Sequence, residues 1–252
     1  MLELRHDNDE STLRMNGRKL LEIRDIKCQL GVMKNTSGSA LFEIGNTKVV
    51  AFLQGPHQIT QRQAQSLGVN QSNRGILNVN FFVTNFSAIE HRADVKKDAK
   101  MKEFTRMIKS VFEQVIQLDL YPRSQLDLQV FVLESDGGYR SAAFNAVSMA
   151  LMDGGIAMKD FVVATTAGLL GNVGVIDLIY QEEKKQNCEF VLVHLQKAQK
   201  IAYVNLNCNK IRLSDFEKLM NISIQSCDQI ANTMKKAIRA KLINNINSFY
   251  FK

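Results

Sequence analysis

"ESDGGYRSAAFNAVSMALMDGG", Glu134 to Gly155, is the stretch on which the reading of this chain turns. A glycine pair leads into an arginine, a serine and an alanine-rich run, and a second glycine pair closes it. Gly137 and Gly138 predict a turn, and the run behind them predicts a helix. A helix N-terminus leaves main-chain N–H groups without intrahelical acceptors and carries partial positive charge. An anion is therefore favoured there, and a guanidinium beside it adds two parallel donors that match phosphate oxygens. Gly138, Arg140 and Ser141 supply turn, fork and hydroxyl, and so form a candidate phosphate cradle. A glycine turn before a helix is also a common structural device, so the residue types alone leave both readings open.

Upstream, "SQLDLQVFVLE" (Ser124 to Glu134) alternates apolar and polar residues and predicts a strand that becomes buried on both faces towards its end. From Lys100 to Leu118, apolar residues recur at three- and four-residue spacing, which predicts one amphipathic helix. "GILNVNFFVT" reads as a strand, as do "SALFEIG" and "TKVVAFLQG", with Gly45-Asn46 between the last two as a tight hairpin. Downstream, "DFVVATTAGLL", "VGVIDLIY", "EFVLVHL" and "IAYVNLN" predict four further strands. Ser214 to Ile243 predicts a helix, with Ser214 as N-cap and Glu217 completing a capping box. "GLLGNVG" has the wrong glycine spacing for a nucleotide fingerprint and lies between strands. The fold class expected is α+β, with mixed sheets packed against helices. No linker divides the chain, and there are two prolines in all. One domain over 1–252 is expected, with 1–14 as an N-terminal extension and 214–252 as a C-terminal helical segment.

The 252 residues suffice for a sizeable core, and 45% hydrophobic with 23% charged residues is ordinary for a globular protein. No apolar run reaches the roughly 18 residues that would suggest a membrane span. Met1 to Asp9 mixes acids with bases and does not read as a signal peptide. The four cysteines and four histidines are scattered, without metal-ligand spacing. Free thiols in a reducing compartment are expected, and His194 in "FVLVHLQ" is expected to be structural.

A net charge of +7 favours an anionic partner without deciding its kind. "EHRADVKKDAKMKEFTRMIK" gathers Arg92, Lys96, Lys97 and Lys100 ahead of and within the predicted helix. These residues suit either a solvated face or contact with RNA or phosphate. Asp177 stands among apolar neighbours in the predicted strand "VGVIDLIY", and a buried carboxylate needs a cation, a metal or a proton. Glu182, Glu183 and Glu189 follow it and could share a divalent ion with it.

Five landmarks, "NGRKLLEIRDI", "SGSALFEIGNTKVVAFLQGPHQ", "LYPRSQLDLQVFVLESDGG", "NAVSMALMDGGIAMKDFV" and "VIDLIYQEE", resemble in this order those of ribonuclease PH-type proteins. The likeness runs from about Met15 to the final helix, and "YPRSQ" and "GPHQI" favour the exosome ring subunits of that family. It implies a ribonuclease PH-type fold of ββαβα-like units and a six-membered ring of related subunits around a channel. It also implies partners: single-stranded RNA 3′ ends, KH-type RNA-binding cap subunits and a hydrolytic nuclease. The implied locations are nucleus, nucleolus and cytoplasm, and no membrane is involved. In catalytic members inorganic phosphate is the co-substrate and releases a nucleoside diphosphate from the 3′ end. The resemblance puts phosphate binding on Gly138, Arg140, Ser141 and Lys100. It puts the catalytic acids, with a divalent metal such as Mg, on Asp177 and Glu183. RNA contacts fall on Arg74, Arg92, Lys96 and Lys97. Three departures stand out: catalytic relatives usually carry arginine where Lys100 stands, aspartate where Glu183 stands, and a small hydroxyl residue where Tyr139 stands. The alternatives are a non-catalytic RNA-channel subunit of the ring and a homohexameric transfer-RNA-trimming ribonuclease PH.

Overall fold

A computed structural model of the chain describes residue 14 and residues 16–58, 74–87, 99–171, 173–185, 188–208 and 210–250. Five strands, β1 (Ile26–Leu30), β2 (Gly38–Ile44), β3 (Thr47–Gln58), β4 (Ile76–Val83) and β5 (Ser124–Glu134), form one sheet in the order β1-β2-β3-β5-β4. Ile44 pairs with Thr47, so Gly45-Asn46 is the two-residue connection that the sequence predicts. β4 and β5 run parallel, because the helix α1 (Ala99–Val115) crosses between them. A second, antiparallel sheet holds β6 (Val162–Leu170), β7 (Val173–Ile176), β8 (Cys188–Leu195) and β9 (Lys200–Cys208) in the order β7-β6-β8-β9.

The helix α2 (Tyr139–Asp153) is buried from Ser141 to Leu151. It lies against β2 and β3 on one side and β6 on the other. Its alanines let two sheets approach one helix, which explains why this stretch has no polar face. Asn145 fixes it to β6 by exchanging two hydrogen bonds with the main chain of Ala164, at 2.9 and 2.8 Å. Phe144 of α2 meets Phe104 and Phe112 of α1 at 5.6 and 6.2 Å and Tyr203 of β9 at 6.2 Å, which ties both helices to the second sheet. The long helix α4 (Leu213–Tyr250) covers the other face of that sheet, where Ser226 Oγ donates to Thr165 Oγ1 at 3.1 Å. β6 is thus covered on both faces, as its nearly unbroken apolar run requires. No described helix is long and apolar enough to cross a membrane.

Several expectations need correcting. β5 keeps its alternation to the end: Phe131 stays half-buried on the outer face, between Phe52 at 5.7 Å and Phe82 at 5.1 Å. Ser214 does not cap its helix. The amides of Asp215 and Phe216 both donate to the carbonyl of Arg212 at 3.1 Å, so Ser214 already lies in the first turn. β7 ends at Ile176, and Asp177 follows it with a φ of +53°, outside any strand geometry. β1 and the short helix α3 (Tyr180–Lys185) were not anticipated. His194 is buried, and that burial lowers its pKa.

Candidate functional site

The turn between β5 and α2 is built from Gly137 and Gly138, with φ values of +83° and +69°. Both lie in the left-handed region, which favours glycine. A Cβ on Gly137 would stand 2.3 Å from the Leu178 carbonyl oxygen, so only glycine lets this turn rest against the segment after β7. Thr47 holds the turn from β3: its Oγ1 donates to the Gly137 carbonyl at 2.7 Å and accepts the Asp136 amide at 3.0 Å. The Gly138 amide donates to Glu183 Oε1 of α3 at 2.7 Å. Ser141 Oγ donates back to the Gly138 carbonyl at 2.9 Å, so its proton is already engaged.

Behind the turn lies a buried cluster. Asp177 Oδ2 accepts the Arg24 amide at 2.8 Å, Arg24 Nε at 2.9 Å and Arg18 Nη1 at 3.0 Å. Its Oδ1 accepts Arg24 Nη2 at 2.6 Å. Three of these contacts crowd onto Oδ2 and one reaches Oδ1, so two guanidiniums balance the buried charge. The same Arg24 reaches forward to the carbonyls of Asp136 and Gly137, at 2.7 and 3.1 Å. Arg14 Nε donates to Glu182 Oε1 at 2.9 Å, and a second contact from Arg14 Nη2 to Oε2 makes the pair bidentate. Burial works to raise the Glu182 pKa, but the bonds from Arg14 and the Ile179 amide prevail and hold it low.

In front of the turn the arrangement is open. Arg140 Nη1 meets Glu189 Oε1 of β8 at 3.3 Å, and the two side chains are 24% and 22% exposed. Tyr139 packs beside them, its ring 5.9 Å from the Arg140 guanidinium and stacked on Phe81 at 6.5 Å. Burial raises the Glu183 pKa; the Gly138 amide opposes this and the charge of Glu189 adds to it. Arg140 and Lys100 line one cleft of ≈ 290 Å³ between the start of α1 and β9, together with Glu103, Met107, Asn205 and Asn207.

Of the residues expected at the site, Gly138, Arg140, Ser141, Lys100 and Glu183 gather in and around this cleft and its turn. Asp177 was expected to hold a metal or act as an acid. Its carboxylate is 2% exposed and accepts hydrogen bonds from the Arg24 amide and from the guanidiniums of Arg18 and Arg24. Among the described residues, no group of three or more His, Cys, Asp or Glu could hold a metal ion. Arg74 bonds to the Glu113 carbonyl at 3.2 Å, near the other end of α1 from Lys100. At 1.5 Å per residue the separation is about 20 Å, so Arg74 is not part of the cleft. Arg92, Lys96 and Lys97 lie outside the described residues. Arg24 had no role assigned from the sequence, and Glu189 was read there only as one of the acids that could share a divalent ion with Asp177. Glu189 was readable as the polar position in the otherwise apolar start of β8, "CEFVLV"; nothing local marks Arg24.

Comparison with known proteins agrees with this architecture. The family model described as "3' exoribonuclease family, domain 1" matches residues 22–157, a span that holds Arg24, Lys100 and the Gly137–Arg140 turn. Exosome complex component ski6 of Schizosaccharomyces pombe is 34% identical over 228 residues, covering 90% of this chain and 91% of that protein. Human exosome complex component RRP41 is 31% identical over 226 residues, covering 90% of each. The crystal structure of rice Rrp46 superposes with a TM-score of 0.78 at 20% identity, over 90% of this chain and 100% of the other. An Archaeoglobus fulgidus exosome with RNA bound to the active site gives 0.75 at 18% identity, over 88% and 92%. From the turn, the two sheets and these matches together, the chain belongs to the RNase PH family of 3′ exoribonucleases.

Proposed function

We propose that this chain is a core ring subunit of an RNA exosome, and that its Lys100–Arg140 cleft receives the 3′-terminal phosphodiester of RNA together with inorganic phosphate. The observation that carries the reading is the convergence of Lys100 and Arg140, distant in sequence, on one cleft beside a helix N-terminus. In the reaction a phosphate oxygen attacks the terminal phosphorus. The bond from phosphorus to the 3′ oxygen breaks, that oxygen takes a proton, and a nucleoside diphosphate leaves. Arg140 would exchange Glu189 for phosphate, trading one charged acceptor for another, while Lys100 adds a point charge. Positioning and charge neutralisation are what phosphoryl transfer chiefly asks of a protein. We assign the proton to the Glu183–Glu189 pair. Glu183 is the member whose raised pKa lets it carry a proton. Asp177 is a positioning residue that acts through Arg24. No step is routed through a metal.

A second reading has its own support. Arg140 and the Gly138 amide already have carboxylate partners in Glu189 and Glu183, the state expected of a subunit that shapes the RNA path without turnover. Ring relatives, KH-type caps, a hydrolytic nuclease, nuclear, nucleolar and cytoplasmic residence, and RNA contacts at Arg74, Arg92, Lys96 and Lys97 belong to either reading. The test is 3′ degradation of single-stranded RNA by the assembled ring, with and without phosphate. Phosphate-dependent release of nucleoside diphosphates is expected. RNA binding without such release would favour the second reading. Phosphate-independent release of monophosphates that survives Arg140→Ala would overturn the assignment of the cleft.

A further inference from the structure

At the end of the β8–β9 ladder, Cys188 stands directly opposite Cys208. Side chains alternate across β8, so Glu189 faces Arg140 while Cys188 lies on the other face. On that face Phe190, two positions along, meets Phe216 of α4 at 5.8 Å. The Cys208 thiol is near enough to be among the groups that raise the Cys188 pKa, after burial. Opposed residues of an antiparallel pair are about 4.5 or 5.5 Å apart at Cα, depending on the rung. Disulfides span about 4.4–6.8 Å between Cα atoms, so the separation across a rung lies within the range of a bridge. Cys188 is 1% exposed and Cys208 half-buried, which gives the pair one solvent-side and one interior sulfur.

We propose that Cys188 and Cys208 form an oxidisable dithiol that closes into a cross-strand disulfide under hydroperoxides, stapling the sheet behind the Arg140–Glu189 wall. Hydrogen peroxide first transfers one oxygen to the Cys208 sulfur, giving a sulfenic acid and water. The Cys188 sulfur then attacks the oxidised sulfur. The S–O bond breaks, the S–S bond forms, and the hydroxyl leaves as water with the Cys188 proton. The two thiols lose two hydrogens in all, and one peroxide becomes two waters. Burial pushes the Cys188 and Cys28 thiols up to about 12 and raises Cys227 as well, so thiolate is scarce and the reaction is slow. What distinguishes this pair from Cys28 and Cys227 is a partner cysteine directly opposite across the ladder. The adjoining rung pairs Glu189 with Asn207, and Asn207 lines the cleft, so closure fixes the end of the ladder that carries that wall.

The experiment exposes the intact, fully reduced chain to hydrogen peroxide without denaturant, blocks remaining thiols and maps peptides by mass spectrometry. The expected product is a Cys188–Cys208 linked peptide, lighter by two hydrogens and restored by dithiothreitol. With Cys188→Ser, oxidation is expected to stop at a sulfenic acid on Cys208 that dimedone traps. Three results would overturn the proposal: Cys208 running on to sulfinic acid in the unaltered chain with no link, links made instead through Cys28 or Cys227, or an intact dithiol after the exposed Met33 has already become its sulfoxide.

Discussion

On the inner side of the Gly137–Gly138 turn, Asp177 accepts four hydrogen bonds from Arg24 and Arg18 and is 2% exposed. On the outer side, Arg140 makes one 3.3 Å bridge to Glu189, and both side chains still meet solvent. Both are arginine–carboxylate pairs within a few residues of one turn, yet only the outer one has donors and acceptors to spare. The inner carboxylate is buried and held by two guanidiniums and a main-chain amide, whereas the outer pair shares one bridge at the solvent edge. The inner cluster therefore fixes where the turn sits, and the outer one is what a phosphate would meet.

The largest effect that could break this contrast is on stability. Arg24→Leu would leave Asp177 buried beside Arg18 alone, and losing one partner of a buried pair costs about 3–5 kcal/mol. Arg140→Leu removes a partly exposed bridge and should change stability by less than about 1 kcal/mol. Urea unfolding of both variants decides it, and equal losses would erase the distinction between the clusters. On phosphate-dependent turnover by the assembled ring the ranking among the cleft residues begins with Arg140. Arg140→Ala gives up a charge-assisted contact of about 1.5–3 kcal/mol, or about tenfold to a hundredfold in rate. Lys100→Arg is a smaller change in the opposite sense. It keeps the charge and restores the fork, so a gain of up to about tenfold is expected. A loss on Lys100→Arg would mean that the cleft is shaped around lysine and that the departure from catalytic relatives is itself adapted.

The fold and half of the site were legible for a common reason: they follow from local pattern. Gly45-Asn46 between alternating strands, the apolar stripe of α1, and glycines running into an alanine-rich helix each encode their geometry within a short window. Lys100 and Arg140, which only the resemblance had linked, line one cleft. The partners of Asp177 were not legible because they are Arg14, Arg18 and Arg24, more than 150 residues earlier. An apolar run cannot show whether a carboxylate in it has a full set of partners, nor that its φ is +53° and ends the strand. Glu189 stood out as an acid, but its pairing with Arg140 did not, because nothing in β8 names that partner.

The finest test of the contrast lies in two adjacent residues, since Glu182 belongs to the inner cluster and Glu183 to the outer turn. Glu182 is held below the ordinary value of 4.5, Arg14 outweighing burial. Its contribution is present above the unfolded pKa and is lost as pH falls through the lower, folded one. Glu182→Gln should therefore destabilise at neutral pH. Glu183 is raised above 4.5 by burial and by the charge of Glu189. Here the folded state binds the proton more tightly, so the stabilisation is complete below 4.5 and disappears as pH rises through the folded pKa. Above its folded pKa the ionised Glu183 is a burden on the fold, and Glu183→Gln, which can still accept the Gly138 amide, should raise stability there slightly. That gain should fade as the pH drops below 4.5. Thermal melts of the two variants between acid and neutral pH should thus move in opposite senses. Parallel profiles would mean that the glutamates share one environment, and that the turn does not separate a fastening from a working site.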